Sequence, residues 1–369
     1  LKTPPPVTPE PPIGTVIEGR YQVESIIASG GMARVYRGIH VRTGSVVAIK
    51  LIDAELSKDP AMKSRCLDEA RAMMGIKSSH VVQASDVGEL PNGQIYLVME
   101  YLEGEDLDKL ITREGPLSWP RAAAMAMQIC TGLAGAHKLG IIHRDVKPQN
   151  CVRIEVDGNP DHIKLIDFGI TKKAGGDTGL TKDGFILGTP EYMAPEFGSG
   201  AKASQSSDIY ALGVTLYKLL TGHVPFKGKT GLETLELHRD AALVLPSARA
   251  PEREIPDEAD QIVAIALAKQ PTGRFSSVLA MKQALQSALG LQQSGLLTQA
   301  GLLTQAGLLT QPTFPTQPGH SQPSVPLSQP IPTSSPADAN SPTPAPTASS
   351  RVVESVTSAV RPEDERRLF

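Results

Sequence analysis

Two short stretches hold the residues best suited to chemistry. HRDVKPQN (His143–Asn150) and LIDFGI (Leu165–Ile170) set two carboxylates, a lysine and an asparagine on loops beside short apolar strands. Phosphoryl transfer requires a carboxylate to orient the attacking hydroxyl, oxygen ligands for Mg²⁺, and cations on the phosphates. Asp145, Asn150, Asp167, Lys147 and Lys50 supply that set. An Asp-rich turn accounts for either segment alone, but not for both together with the segments around them.

Lys50 ends the run VAIK (47–50). A lone strand lysine is usually a solvated edge residue, but three preceding apolar residues imply burial, and a buried ammonium needs an anion. The stretch CLDEARAMM offers Glu69, which shares an apolar stripe with Cys66 and Met73. Asp68 is the competing partner, about 100° around the helix from that stripe. Nearer the N-terminus, ASGGMARVY (28–36) lies between two expected strands. Its Ala28, Ser29, Gly30 and Gly31 could bring backbone N–H groups close to phosphates, although glycine-rich hairpins are also common structural turns.

The elements that position these residues follow from periodicity. Tyr21–Ala28, Val35–His40 and Ser45–Ile52 alternate or run apolar and read as strands; Pro60–Gly75 reads as a helix; Val82–Gly88 and Ile95–Tyr101 read as further strands. Beyond Gly104 the pattern is mostly helical, with Ser118 as an N-cap and Pro120 in the first turn of an Ala-rich helix reaching about Leu139. Strands first and helices later make an α+β protein with a small sheet lobe and a larger helical lobe.

Composition sets the outer limits. Among 369 residues the net charge is −3, too little basic excess for a nucleic-acid partner. Cys66, Cys130 and Cys151 are few, odd in number and far apart, which fits a reducing compartment and buried packing rather than a disulfide framework. No membrane segment and no signal peptide is evident, so the expected location is cytoplasmic. Residues 1–18 read as a Pro-rich disordered leader and 19–289 as one continuous domain. Residues 290–369 read as a low-complexity tail. There GLLTQA, GLLTQA and GLLTQP start at Gly295, Gly301 and Gly307, too few copies for a stacked solenoid, and eleven prolines fall within 312–350.

The ordered set of a Gly-rich loop, V-A-I-K, H-R-D-x-K-P-x-N, D-F-G and A-P-E resembles the protein kinase superfamily, most closely the bacterial branch of the eukaryotic-type Ser/Thr kinases. The resemblance covers about Gly19–Leu289 and implies the two-lobed protein kinase fold, with ATP and Mg²⁺ (Mn²⁺ as the alternative ion) as cofactors. It implies that Lys50 holds the α- and β-phosphates and pairs with Glu69, that Asp145 is the catalytic base, and that Lys147 steadies the transferring phosphoryl. Asn150 and Asp167 would bind the metal. Val35 and Ala48 would cover the adenine, with Val152 beneath it, Met99 as gatekeeper, the backbone of Glu100 and Leu102 on the adenine edge, and Asp106 near the ribose. Glu196 is expected to pair with Arg274, Asp208 to brace the catalytic loop, and Met73, His143 and Phe168 to stack between the lobes. Lys147 and Thr189 follow the Ser/Thr pattern, so the implied partners are protein substrates with Ser or Thr acceptors. A small-lobe homodimer is expected by analogy alone.

The match is imperfect at the glycine loop, where Ala28 and Ala33 stand at the first and third glycine positions while Gly30 is kept. A scaffold that binds ATP without efficient turnover would lack Lys50, Asp145 or Asp167, and none is missing. A small-molecule kinase would not need the APE segment. By the same resemblance, Arg144 is an unpaired cation that receives a phosphate on the segment 170–187, with Thr181 and then Thr178 as the autophosphorylation sites.

Overall fold

The computed structural model describes residues 11, 13–30, 33–53, 60–169 and 188–290. Six antiparallel strands form the first sheet: β1 (Val16–Ile17), β2 (Tyr21–Ser29), β3 (Ala33–His40), β4 (Val46–Ile52), β5 (Ala84–Glu89) and β6 (Ile95–Glu100), in the order β1-β2-β3-β4-β6-β5. Most boundaries fall within two residues of those expected from alternation. The leader is corrected at its end. Val16 and Ile17 pair with Gln22 and Tyr21, and Ile17 is buried, so the folded domain begins ahead of Gly19. A two-residue strand is too short to show a period.

β4 is buried on both faces because its residues feed two cores. Val47, Ile49 and Leu51 pack with Tyr21, Val23, Tyr36 and Tyr96 on one side. Ala48 and Ile52 face the main core on the other. Side chains alternate along a strand, so Lys50 points to the same side as Ala48 and Ile52, toward the rest of the molecule. Helix α1 (Pro60–Met74) contributes Cys66, Ala70 and Met73 to that core.

Strand β7 (Gly104–Asp106) then pairs with β8 (Cys151–Val156), and β8 with β9 (Asn159–Leu165), in a three-stranded sheet that carries both candidate loops at its ends. At Gly104 a Cβ would lie 2.1 Å from the carbonyl oxygen of Arg153, so the close approach of β7 to β8 excludes any side chain there. The helices are α2 (Leu107–Glu114), α3 (Trp119–His137), α4 (Gln205–Thr221), α5 (Gly231–Asp240), α6 (Pro246–Arg249), α7 (Asp257–Ala266) and α8 (Val278–Ala288). Ser118 precedes α3 as expected, with Pro120 in the first turn, although its side chain makes no capping hydrogen bond. Nearly all of α4 is buried, which makes it the post around which the helical lobe packs. The cysteines are free and buried. Among the described residues no helix is long and apolar enough to cross a membrane. Gly31, Thr178, Thr181 and the repeats lie outside the described residues.

Candidate active site

The catalytic-loop candidates are held by one carboxylate. Asp208 on α4 is 1% exposed and accepts the backbone N–H groups of His143 and Arg144, each at 2.9 Å. His137 Nε2 lies 2.8 Å from the same group. This is the brace expected of Asp208. It lets Arg144 keep a left-handed backbone (φ 66°), unusual for a residue with a side chain. Asp167 is left-handed too (φ 57°). The two loops are joined directly, since Ile166 N–H donates to the Asn150 carbonyl at 3.0 Å and Gly169 N–H to the His143 carbonyl at 3.0 Å. The His143 and Phe168 rings stand 4.4 Å apart, as expected of that pair, and Met73 lines the same cavity as Phe168.

Asp145 sits in a web of donors. Asn150 Nδ2 donates to its carboxylate at 2.9 Å and to its carbonyl at 2.8 Å, and Lys147 Nζ is 3.1 Å from Oδ2. Lys147 also donates to Thr189 Oγ1 at 2.9 Å, which ties the catalytic loop to the GTPEYMAPE segment. Lys50 is 8% exposed, as its apolar run implied, and its ammonium meets Asp167 Oδ1 at 2.6 Å.

Two expected arrangements are corrected. Lys50 pairs with Asp167, not with Glu69. The left-handed turn at Asp167 delivers that carboxylate to the lysine, and Glu69 instead faces the catalytic loop, where Arg144 Nη1 lies 3.3 Å away. Arg144 is therefore not an unpaired cation, although its Nε is buried without a partner. Asp106, expected near the ribose, is also the N-cap of α2. One oxygen accepts Lys109 N–H at 2.9 Å, and the other pairs with Lys109 Nζ at 3.3 Å. Asp68, set aside on helical geometry, is indeed exposed and pairs with Arg71.

The nucleotide-binding candidates line up across strands. Val35 pairs in register with Ala28 and Lys50, and Ala48 with Met99. Ala48, Met99, Leu102 and Val152 are buried. Gly30 N–H donates to the Ala33 carbonyl at 3.0 Å; a Cβ at Gly30 would make only an ordinary 3.5 Å contact there. Among the described residues no close contact demands a glycine here. One element was missed entirely. Glu100 accepts from Lys164 Nζ at 2.6 Å and from Gln83 N–H at 2.7 Å, tying the end of β6 to β9. Lys164 is separated from Glu100 by 64 residues, and no local pattern announces such a pair.

A metal fits this site. Asp167 and Asn150 offer hard oxygen donors on adjoining loops. Among the described residues no cluster of three or more His, Cys, Asp or Glu forms a self-sufficient cage. A pair of oxygen donors fits a hard divalent cation that completes its shell with phosphate and water.

The protein kinase domain model matches residues 21–289. The chain belongs to the protein kinase family. It is 35% identical over 278 residues to the serine/threonine-protein kinase pkn3 of Myxococcus xanthus, covering 74% of this chain and 51% of that one. It is 37% identical over 280 residues to PknL of Mycobacterium bovis, covering 76% and 68%. PknH of the same organism is 40% identical over 271 residues, covering 73% and 44%. The chain thus spans between about half and two thirds of these relatives' lengths. Among solved structures, the PknI kinase domain of Mycobacterium tuberculosis aligns with a TM-score of 0.57 at 25% identity, covering 74% of this chain and 98% of that one. Rad53 bound to AMP-PNP aligns at 0.60 and 25%, covering 71% and 63%. This kinase domain is of the bacterial Ser/Thr branch, and the fold binds ATP with a divalent metal.

Proposed function

We propose that this kinase transfers the γ-phosphoryl of ATP, with Mg²⁺, to Ser and Thr hydroxyls of protein substrates, and that it is switched on by autophosphorylation. The observation that carries the reading is the Asp145 web. Asn150 and Lys147 hold the carboxylate so that an oxygen is oriented toward an incoming hydroxyl, accepting its proton as the oxygen attacks phosphorus. Lys147 also touches Thr189 on the segment where a peptide substrate would dock, so one cation spans base and platform. Lys50 neutralises phosphate charge from the roof, and Val35, Ala48, Met99 and Val152 enclose the base. Asp167 and Asn150 would hold Mg²⁺, which would supply charge neutralisation and alignment of the phosphates. The reduced, buried cysteines suit a cytoplasmic setting.

In this structure Lys50 and Glu69 each have another partner. Activation on this reading exchanges them, with Glu69 leaving Arg144 for Lys50 and freeing Arg144 for a phosphothreonine. Incorporation of labelled γ-phosphate into the full chain and a generic basic protein, beside Asp145→Asn and Asp167→Asn, tests the proposal. Label on Ser or Thr that both variants abolish supports it. ATP binding with no label in the wild type would favour the scaffold instead.

A further inference from the structure

A cavity of about 320 Å³ opens on the helical lobe beside Thr189, walled by the catalytic loop, the segment after Gly188, and the end of α4 with the chain beyond it. Thr189 shares Lys147 with Asp145, so whatever enters belongs to a residue near the acceptor in a bound substrate. The character of the walls is specific. Tyr192 is 6% exposed, and its hydroxyl is buried with no hydrogen-bond partner. Burial pushes that phenol well above its ordinary pKa, which keeps it a proton donor. Gln149 also presents a buried, unpartnered amide oxygen. Half a turn about its last torsion would present the NH₂ instead.

Charge decides what fits. Lys227 and Arg249 line the cavity, and neither has an ion-pair partner among the described residues. Lys218 also lines it and shares its charge with Asp108. Glu191 is the opposing acid among these lining residues. An incoming cation would meet Glu191 while facing Lys227 and Arg249. An incoming anion finds two uncommitted cations and a waiting phenol.

We propose that this cavity is a specificity site that takes an anionic side chain of the protein substrate, a carboxylate or a phosphate already present near the acceptor. The proposal rests on the kinase reading above. Lys227 and Arg249 supply charge, Tyr192 Oη donates a directed hydrogen bond, and Gln149 fills the remaining coordination. Charge-assisted hydrogen bonds favour oxyanions over neutral isosteres.

The test uses the full chain and Thr-acceptor peptides in which Glu, phosphoserine, Gln or Lys is scanned through each flanking position. The expected result is one position where Glu or phosphoserine raises kcat/KM about tenfold over Gln, the size of one charge-assisted bond. The two anions reveal which source the site prefers. In K227Q/R249Q the ratio falls to about one, and in K227E/R249E it inverts toward Lys. Thermal melts check that the variants are folded. Anisotropy of labelled peptides with Ala for the acceptor reads the same preference without turnover, which separates failure of this site from failure of catalysis. No acidic preference at any position in binding, a preference for Lys in the wild type, or an acidic preference that survives both variants would overturn the proposal.

Discussion

Asp145 Oδ2 lies within reach of both Asn150 and Lys147, so its replacement by Asn keeps the shape and removes the proton acceptor. Asp145→Asn is expected to lower kcat by about 10²–10⁴-fold, the usual worth of a positioned base, while a nucleotide-induced thermal shift persists. Loss of that shift along with activity would mean that Asp145 holds the nucleotide rather than the acceptor. His238 allows a different test. It is fully buried on α5, with Nδ1 2.8 Å from Tyr210 Oη, Nε2 unpartnered, Phe226 against its ring and Lys269 donating to its carbonyl. Burial, reinforced by Lys269, lowers its pKa to about 3. The unfolded chain therefore binds a proton below about pH 6.5 that the folded chain refuses. There is no penalty above that pH, and the penalty grows by up to about 1.4 kcal/mol per pH unit as the pH falls toward 3. Buried His143 and half-buried His80 are displaced in the same direction and share the slope. Urea unfolding at pH 7.5, 6 and 5 should show a shallower decline in His238→Gln than in the wild type. Parallel declines would remove His238 from the account.

Among the elements, α1 is where sequence and structure part. Its limits, its buried stripe and the exposure of Asp68 were all legible, because they depend only on helical periodicity. The partner of Glu69 was not, since ion pairing depends on the left-handed turn at Asp167 and on which way α1 is rotated against the catalytic loop. The strands were readable from alternating apolar residues. The two-residue β1 and the capping duty of Asp106 have no period to betray them, and the Glu100–Lys164 pair spans too much chain. The candidate catalytic residues stood out in the sequence for another reason: the proposed chemistry demands particular residue types at fixed local spacing. If activation re-pairs Lys50 with Glu69, the carboxylate matters to turnover far more than to folding. Glu69→Gln should lower kcat/KM by about tenfold or more. It should change stability by less than about 1 kcal/mol, because the Arg144 pair it loses is partly solvated. Equal losses of stability and activity would assign Glu69 a packing role only.

The whole helical lobe converges on Arg274. Its side chain is 0% exposed and grips Glu196 with two parallel bonds, at 2.8 and 2.7 Å. It also donates to the carbonyls of Ala268 and Lys269 after α7, and of Ser206 at the start of α4, and it lies over the Tyr210 ring. One guanidinium thus joins the proposed substrate platform, the central helix and the chain leading to α8, segments up to 78 residues apart. A buried pair of this kind need not out-stabilise an apolar substitute, but removing one partner strands the other's charge at a cost of about 3–5 kcal/mol. Glu196→Ala and Arg274→Ala should each lower the melting temperature by roughly 10 °C, at about 2–4 °C per kcal/mol for a domain near this size. Their effects cannot add, since the second substitution removes the charge that the first left stranded. The double variant should therefore melt close to the worse single variant, a coupling that a double-mutant cycle measures directly. Additive losses would mean that Arg274 works through its carbonyl contacts alone. The platform would then be positioned by packing rather than by the ion pair.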